Sequence, residues 1–373
     1  MSGSTRPRVV LLRGHEANVW DLRPWERLTG DFDVEVLVTG SNLHQVEGLG
    51  LTVTPVRSPR DVLPGGRAAG AIAYALGERY LGLEDHLRGA GIVHAAEIGR
   101  WFGAQAAGLR DRLGFKLALT VWETIAWRDA YRWPRERAYR RATLPAADLL
   151  LPATERARDG LLLEGADPAR IEVCPPGIDL DRFSPTGPEP APVRHRILSA
   201  GRLVWEKGHQ DVLRAFAHLD REDAELEIVG SGPEEKRLRA YAADLGVADR
   251  TTFRPTVPYE EMPALYRSAS ALVLASLPTK AWEEQFGMVL VEAMACGTPV
   301  VACATGAIPE VVGGDGALVS PGDWRGLAEA LAAGPLARAP GGRARVPGER
   351  LARYSTGAAA ARYRAVYERL LRA

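Results

Sequence analysis

Short runs of apolar, largely β-branched residues recur along the chain, each closed by Gly, Pro, Thr or Ser and followed by a stretch long enough for a helix. This is the rhythm of βα alternation. In the first half it predicts strands at Arg8–Arg13, Val34–Thr39, Leu51–Val56, Gly91–Ala95, Lys116–Val121, Leu149–Ala153 and Ile171–Cys174. Runs such as Lys116-Leu-Ala-Leu-Thr-Val121 are continuously apolar, as strands of a parallel sheet covered on both faces are. Four prolines in the ten residues Ser184–Val193 then interrupt the pattern and read as a linker. Alternation restarts with strands at Arg196–Ala200, Glu225–Val229, Thr251–Arg254, Ala271–Ala275, Pro299–Cys303 and Ala317–Ser320. Gly334–Glu349 reads as an irregular connection, and Ser355–Leu371 as a closing helix with an apolar face through Ala359, Tyr363, Val366 and Leu370. The expected organisation is two doubly wound α/β domains, 1–184 and 195–350, joined by a linker at 185–194 and facing a central cleft. Residues 351–373 form the last helix, with packing back on the first domain as an open option.

Composition narrows the function classes. At 373 residues the chain is too long for one ordinary core. Lys+Arg and Asp+Glu are both 47, so no basic nucleic-acid surface is expected. Only Lys116, Lys207, Lys236 and Lys280 are lysines, an arginine bias that suggests a GC-rich bacterial genome. The three cysteines, Cys174, Cys296 and Cys303, have neither disulfide nor zinc spacing, which fits a reducing compartment. The apolar run Val9–Leu12 is far short of a signal or membrane segment, so a cytoplasmic location is expected.

Chemistry concentrates in the second half. Phe286-Gly287 opens an apolar helix that Gly297 caps and Pro299 ends. Unpaired amides and the helix dipole at that start favour an anion such as a nucleotide phosphate. Glu284 and Glu292 are eight residues apart, about 12 Å of helical rise, beyond the roughly 5–9 Å of carboxylates flanking one glycosidic bond. They suit opposite ends of one extended ligand; a solvated helix residue and a dipole partner is the plainer account. Arg202 and Lys207 fall in the first βα loop of the second domain, where an open sheet binds ligands, and a guanidinium with an ammonium suits a diphosphate. Solvated loop cations are again the plainer account. Val229-Gly-Ser-Gly-Pro233 adds a Gly-rich turn after the next strand.

The ordered set Gly201-Arg-Leu…Lys207-Gly208, Val229–Pro233, Glu284-x-Phe-Gly…Glu292, Ala295-x-Gly-Thr-Pro-Val-Val301 and Thr305-Gly-x-x-Pro-Glu-Val-Val312 resembles the retaining, nucleotide-sugar-dependent glycosyltransferases of family 4, group 1, with the GT-B fold. Pro175–Phe183 resembles the family's segment before the linker. The resemblance implies transfer of a sugar from a nucleotide-diphosphate donor, such as a UDP or GDP sugar, to a hydroxyl acceptor, with no metal and no cofactor. It implies that Arg202, Lys207 and Glu284 serve catalysis, the cations on the leaving diphosphate and Glu284 on the sugar. Glu292 would accept from ribose hydroxyls; Phe286, Gly287, Met288 and Val289 would hold sugar and phosphate; Arg254 would lie by the base.

The resemblance thins toward the amino terminus. Gly14 stands where relatives often carry two glycines near the phosphate, with His15 and Glu16 beside it, although His15 equally suits a helix cap. Where relatives often carry a histidine after the fifth strand, Trp122 and Glu123 stand instead. Glu123, or Glu97 after the fourth strand, are the candidates for orienting an acceptor hydroxyl. The Arg-rich stretch 127–141 is read as a solvated helix in preference to a peripheral membrane contact. Another sugar-nucleotide enzyme of the same fold, such as an epimerase, and a non-catalytic nucleotide-sugar-binding subunit are the alternative functions.

Overall fold

A computed structural model describes residues 6–43, 46, 48–62, 77–128, 134–187 and 193–372. The chain divides into two units, residues 1–177 with 354–373, and residues 178–353. Residues 188–192 of the proline-rich stretch and 129–133 of the Arg-rich one lie outside the described residues.

In the first unit β1 (Arg8–Gly14), β2 (Asp33–Thr39), β3 (Thr52–Val56), β4 (Ile92–Ala96), β5 (Lys116–Val121) and β6 (Leu149–Pro152) form one parallel sheet in the order β3-β2-β1-β4-β5-β6. The chain winds outward from β1 to β3, then crosses back to place β4 against β1, with Val10 beside Val93. The two windings diverge between the carboxyl ends of β1 and β4, where a doubly wound sheet leaves a crevice. Alternation sorts the strands' side chains: Val10 and Leu12 join a core with Trp101, Phe102 and Ala106 of the helix Trp101–Leu113. Val9 and Leu11 join the opposite core, with Trp25 of the helix Val19–Glu26 and the apolar face of the helix Thr356–Arg372.

That last helix carries the four residues of the predicted stripe, Ala359, Tyr363, Val366 and Leu370, all buried. Tyr363 stacks on Trp25 with ring centroids 4.3 Å apart, and the Trp25 indole donates to Tyr367 Oη at 2.8 Å. Tyr367 Oη also lies 2.6 Å from His94 Nδ1, and the other ring nitrogen of His94, Nε2, lies 2.7 Å from Thr120 Oγ1. The tail is thus tied through His94 to β4 and β5.

One predicted strand is corrected. Ile171–Cys174 runs beside β6 with a single bridge to Leu150 and two hydrogen bonds, from Glu172 N and Cys174 N, and goes no further. Pro175 and Pro176 follow with no N–H to donate, and Pro152 ends β6.

The second unit repeats the winding. β7 (His195–Ala200), β8 (Ala224–Val229), β9 (Thr251–Arg254), β10 (Ala271–Leu274), β11 (Val300–Cys303) and β12 (Ala317–Val319) are parallel in the order β12-β11-β10-β7-β8-β9. Its divergence point lies between β7 and β10, over a core of Ile197, Val212, Phe216, Ile228 and Val273. Phe183 packs here, 5.3 Å from the Tyr259 ring and 6.1 Å from that of Tyr266. The connection Gly334–Glu349 carries a 3-10 turn, Pro335–Ala337, and is held where Ala344 N donates to the Gly297 carbonyl at 2.8 Å; just beyond it Arg350 donates to the Val311 and Val312 carbonyls and pairs with Asp315 at 2.5 Å.

Candidate functional site

In the second unit the loops after β7 and β10 bring Lys207 and Glu284 together. Gly201 ends the strand, and a 3-10 turn, Trp205–Lys207, leads to Gly208, from which the helix His209–Leu219 starts. Gly208 has φ +70, and a Cβ there would lie 1.8 Å from the Ala275 carbonyl oxygen. Only glycine lets the first loop close onto the end of β10 in this way. The close fit sets Lys207 Nζ 2.7 Å from Glu284 Oε2, which also accepts from Ser276 Oγ at 2.7 Å. Lys207 Nζ lies 5.0 Å from the centroid of Trp282 as well. The backbone of Glu284 is fixed by the turn after β11, where Ala307 N donates to its carbonyl at 2.8 Å.

His209 steadies the same loop. Its Nε2 meets the Arg202 carbonyl at 3.1 Å, an oxygen that can only accept, so Nε2 holds the proton and Nδ1 accepts from Ser199 Oγ at 2.9 Å. Burial lowers its pKa to about 4, which keeps that tautomer pair neutral. Arg202 itself is exposed beside it.

Phe286 is buried, and Gly287, at φ +82, starts the helix Met288–Ala295 with no side-chain cap. Met288 and Val289 form its first turn and are half-buried. Glu292, one face of that helix further on, is 4% exposed. Tyr259 Oη donates to its Oε1 at 2.9 Å and Tyr266 Oη to its Oε2 at 2.8 Å. Burial raises the carboxyl's pKa and the two phenols oppose the rise. Arg254, at the end of β9, lies 3.4 Å from Glu227 and 3.6 Å from Glu261.

In the first unit the candidates stand at the carboxyl ends of three adjacent strands. After β1, Gly14 N donates to Tyr80 Oη at 2.7 Å, and the place of its Cβ is 2.9 Å from the Phe102 ring. His15 is half-buried, and desolvation, ahead of the opposing Glu16 and the reinforcing Arg60 and Arg100, lowers its pKa. His15 does not cap the following helix; Asn18 does, accepting from Asp21 N at 2.8 Å. Glu16 is exposed and pairs with Arg100 at 3.0 Å.

After β4, Glu97 adopts φ +60, a left-handed conformation costly for a residue with a Cβ. Its Oε1 accepts from Trp122 N at 2.8 Å. Desolvation pushes its carboxyl up to about 7, against that hydrogen bond, with Glu123 adding to the rise and Arg100 and Arg128 opposing it. Glu123 is engaged on both oxygens: Oε1 accepts from Thr124 N and Ile125 N, and Oε2 pairs with Arg128 at 2.7 Å.

Of the described part of 127–141, Arg140 is buried against Glu164 at 2.5 Å and lies 3.8 Å from the ring centroid of the exposed Trp127. Ser276, Trp282, His209, Tyr259 and Tyr266 escaped sequence reasoning. Each meets its partner across strands, loops or packed helices, and no local spacing announces such a contact.

Among the described residues no group of three or more His, Cys, Asp or Glu is arranged to hold a metal. No helix among them is long and apolar enough to cross a membrane.

Comparison with known proteins follows the same division. The glycosyl transferases group 1 family matches residues 189–333 and glycosyltransferase family 4 matches residues 26–182. The D-inositol 3-phosphate glycosyltransferase of Mycolicibacterium vanbaalenii is 38% identical over 241 residues, 57% of this chain and 52% of that one. That of Mycobacterium tuberculosis strain H37Ra is 35% identical over 268 residues, 64% and 54%. The chain spans about half the length of the curated relatives it matches. Among solved structures, a sucrose-phosphate synthase from Thermosynechococcus elongatus superposes with TM-score 0.74 at 20% identity, covering 98% of this chain and 99% of that one. The Anabaena protein HepE in complex with UDP and glucose gives 0.72 at 16%, covering 97% and 100%. With both halves matched in order and two parallel six-stranded sheets wound alike, the chain belongs to the family 4-like, group 1 glycosyltransferases of GT-B fold.

Proposed function

We propose that this protein transfers a sugar from a nucleotide-diphosphate donor to a hydroxyl acceptor, with retention and without a metal ion. The observation that carries the reading is the convergence of Lys207, Glu284 and Ser276 between the carboxyl ends of β7 and β10, next to the uncapped helix start at Gly287. Arg202 and Lys207 bind the diphosphate and stabilise it as it leaves, while the helix start adds its dipole. Glu284 contacts the sugar hydroxyls; Lys207 turns from Glu284 to the phosphate when donor arrives. Glu292 holds the ribose, with Phe286, Gly287, Met288 and Val289 lining the sugar and phosphate, and Arg254 near the base. In the first unit His15, Glu16, Glu97, Trp122 and Glu123 form the acceptor side, and Gly14 serves the donor phosphate. The name of the relatives makes an inositol 3-phosphate the first acceptor to try. The UDP and glucose bound by a protein of the same fold make UDP-sugars the first donors, ahead of GDP-, ADP- and TDP-sugars.

The test is transfer measured with each donor, the product anomer read by NMR, with chelator present and absent. Lys207→Ala lowers kcat/KM by about 10²–10³, the range for removing one electrostatic donor to a developing anion. Glu284→Ala gives a loss of similar order. Unaltered turnover in both variants overturns the site, an inverted anomer overturns retention, and release of an epimerised sugar without transfer favours the epimerase reading.

A further inference from the structure

The two donor-side carboxylates are both held by protein donors, and one of those donors is replaceable. Tyr266, which serves Glu292 Oε2, is fully buried, and its carbonyl accepts from Thr298 Oγ1 at 2.7 Å. It belongs to the core. Tyr259, which serves Oε1, is half-buried and opens the 3-10 turn Tyr259–Glu261, between the Phe183 ring and the Arg182 guanidinium, 5.8 Å from its centroid. Withdrawing Tyr259 moves one surface turn; withdrawing Tyr266 opens the packing between two helices.

A carboxylate that is 4% exposed is costly to leave bare, so Oε1 needs a donor before any ligand arrives. We infer that Tyr259 stands on Glu292 Oε1 in the place a ribose hydroxyl takes, and that nucleotide binding exchanges the phenol for the sugar hydroxyl. Tyr259 is then a positioning residue that selects ribonucleotides. The exchange replaces one O–H donor by another, so the carboxylate is satisfied in both states and no step leaves it unpaired. A nucleotide lacking the hydroxyls has nothing to offer in exchange. Burial and the charge of Glu292 hold the phenol's pKa far above its ordinary range, so it remains a donor at any working pH. The inference rests on Glu292 being a donor contact, and the experiment separates the two.

Dissociation constants are measured by calorimetry for UDP, GDP and ADP and for their 2′,3′-dideoxy forms, with wild type, Tyr259→Phe and Glu292→Gln. In wild type each dideoxy form binds more weakly than its ribo form, and Glu292→Gln, whose neutral amide accepts more weakly than a carboxylate, narrows that gap. Tyr259→Phe, having no competing hydroxyl, binds the ribo form about tenfold more tightly, the scale of one hydrogen bond to a charged group, and leaves the dideoxy form unchanged. If Glu292→Gln leaves the gap as wide, or no nucleotide binds wild type, the donor reading fails and this inference with it. If the gap depends on Glu292 but Tyr259→Phe and Tyr259→Leu each weaken both forms alike, or change neither, Tyr259 is a brace and the inference alone fails. Tyr259→Leu, compared with Tyr259→Phe for melting temperature and affinity, guards against a folding defect: a ribo-specific gain in either variant sustains the exchange, and its absence in both overturns it.

Discussion

Lys207 Nζ is shared between a carboxylate at 2.7 Å and an aromatic face at 5.0 Å, so under the proposed function an arriving diphosphate would take over a cation that is already oriented. Orientation in advance lowers the reorganisation at the moment charge develops. Its partner residues differ in how far local sequence foretells them. Lys207, Glu284 and Glu292 sit in motifs whose spacing reflects one loop or one helix, and could be read from the chain. Ser276, Trp282 and Tyr259 act through contacts made by folding, so nothing adjacent marks them. The same holds for Glu97 against Glu123. Both follow strand ends, but only the structure shows Glu123 occupied by two amides and Arg128, and Glu97 strained at φ +60 with a carboxyl pushed up to about 7. If Glu97 serves the acceptor hydroxyl in its ionised form, kcat/KM rises as pH climbs through about 7 and levels above it. Glu97→Gln removes that rise while leaving nucleotide affinity unchanged; a rise that persists in the variant excludes Glu97 from the role.

At the scale of elements, the loop after β7 works because Gly208 permits a backbone approach no side chain allows. Gly208→Ala adds a Cβ 1.8 Å from a carbonyl oxygen at a φ of +70, so the loop must move and Lys207 with it. The expected result is a stability loss of about 1–3 kcal/mol, from strain of this type, and a weakening of nucleotide binding as large as that of Lys207→Ala. Calorimetric melting and nucleotide titration check both parts, and a variant with wild-type affinity would show that the loop does not set Lys207. Strand positions were largely legible here because continuous apolar runs leave few other places for a buried parallel strand. Ile171–Cys174 was misread because the same composition fits a segment that only touches the sheet edge: pairing needs a partner with N–H groups in register, and Pro152, Pro175 and Pro176 withhold them.

At the scale of the whole molecule each unit contains a buried neutral histidine that must gain a proton on unfolding in acid. His94 is held well below its ordinary pKa by desolvation, with Arg13 adding to the effect, and His209 at about 4. Unfolded histidines titrate near 6.5, so between that pH and the folded values the unfolded state binds more protons. Stability is therefore full above about 6.5 and falls as pH drops, by about 1.4 kcal/mol per unit for each histidine. Urea unfolding at pH 7.5 and pH 5 should reveal the loss in both units, and His209→Asn should lessen it in the second unit alone, where the buried His195, its pKa also lowered by desolvation, keeps a part; equal slopes in variant and wild type would exclude His209 as a source.

What the sequence determined by itself was periodic or motif-borne: apolar runs that specify parallel strands, the Gly-closed helix at Met288, the cationic loop at Arg202 and Lys207, and the stripe of the last helix. These follow from local geometry, where spacing along the chain maps directly onto one face or one loop. Tertiary structure decided which of those residues meet. It joined the tail to Trp25 and His94 across more than 250 residues, set Lys207 on Glu284, and placed two tyrosines over Glu292. Such pairings depend on strand order and loop closure, which are fixed by burial of the whole core and leave no periodic trace in the chain.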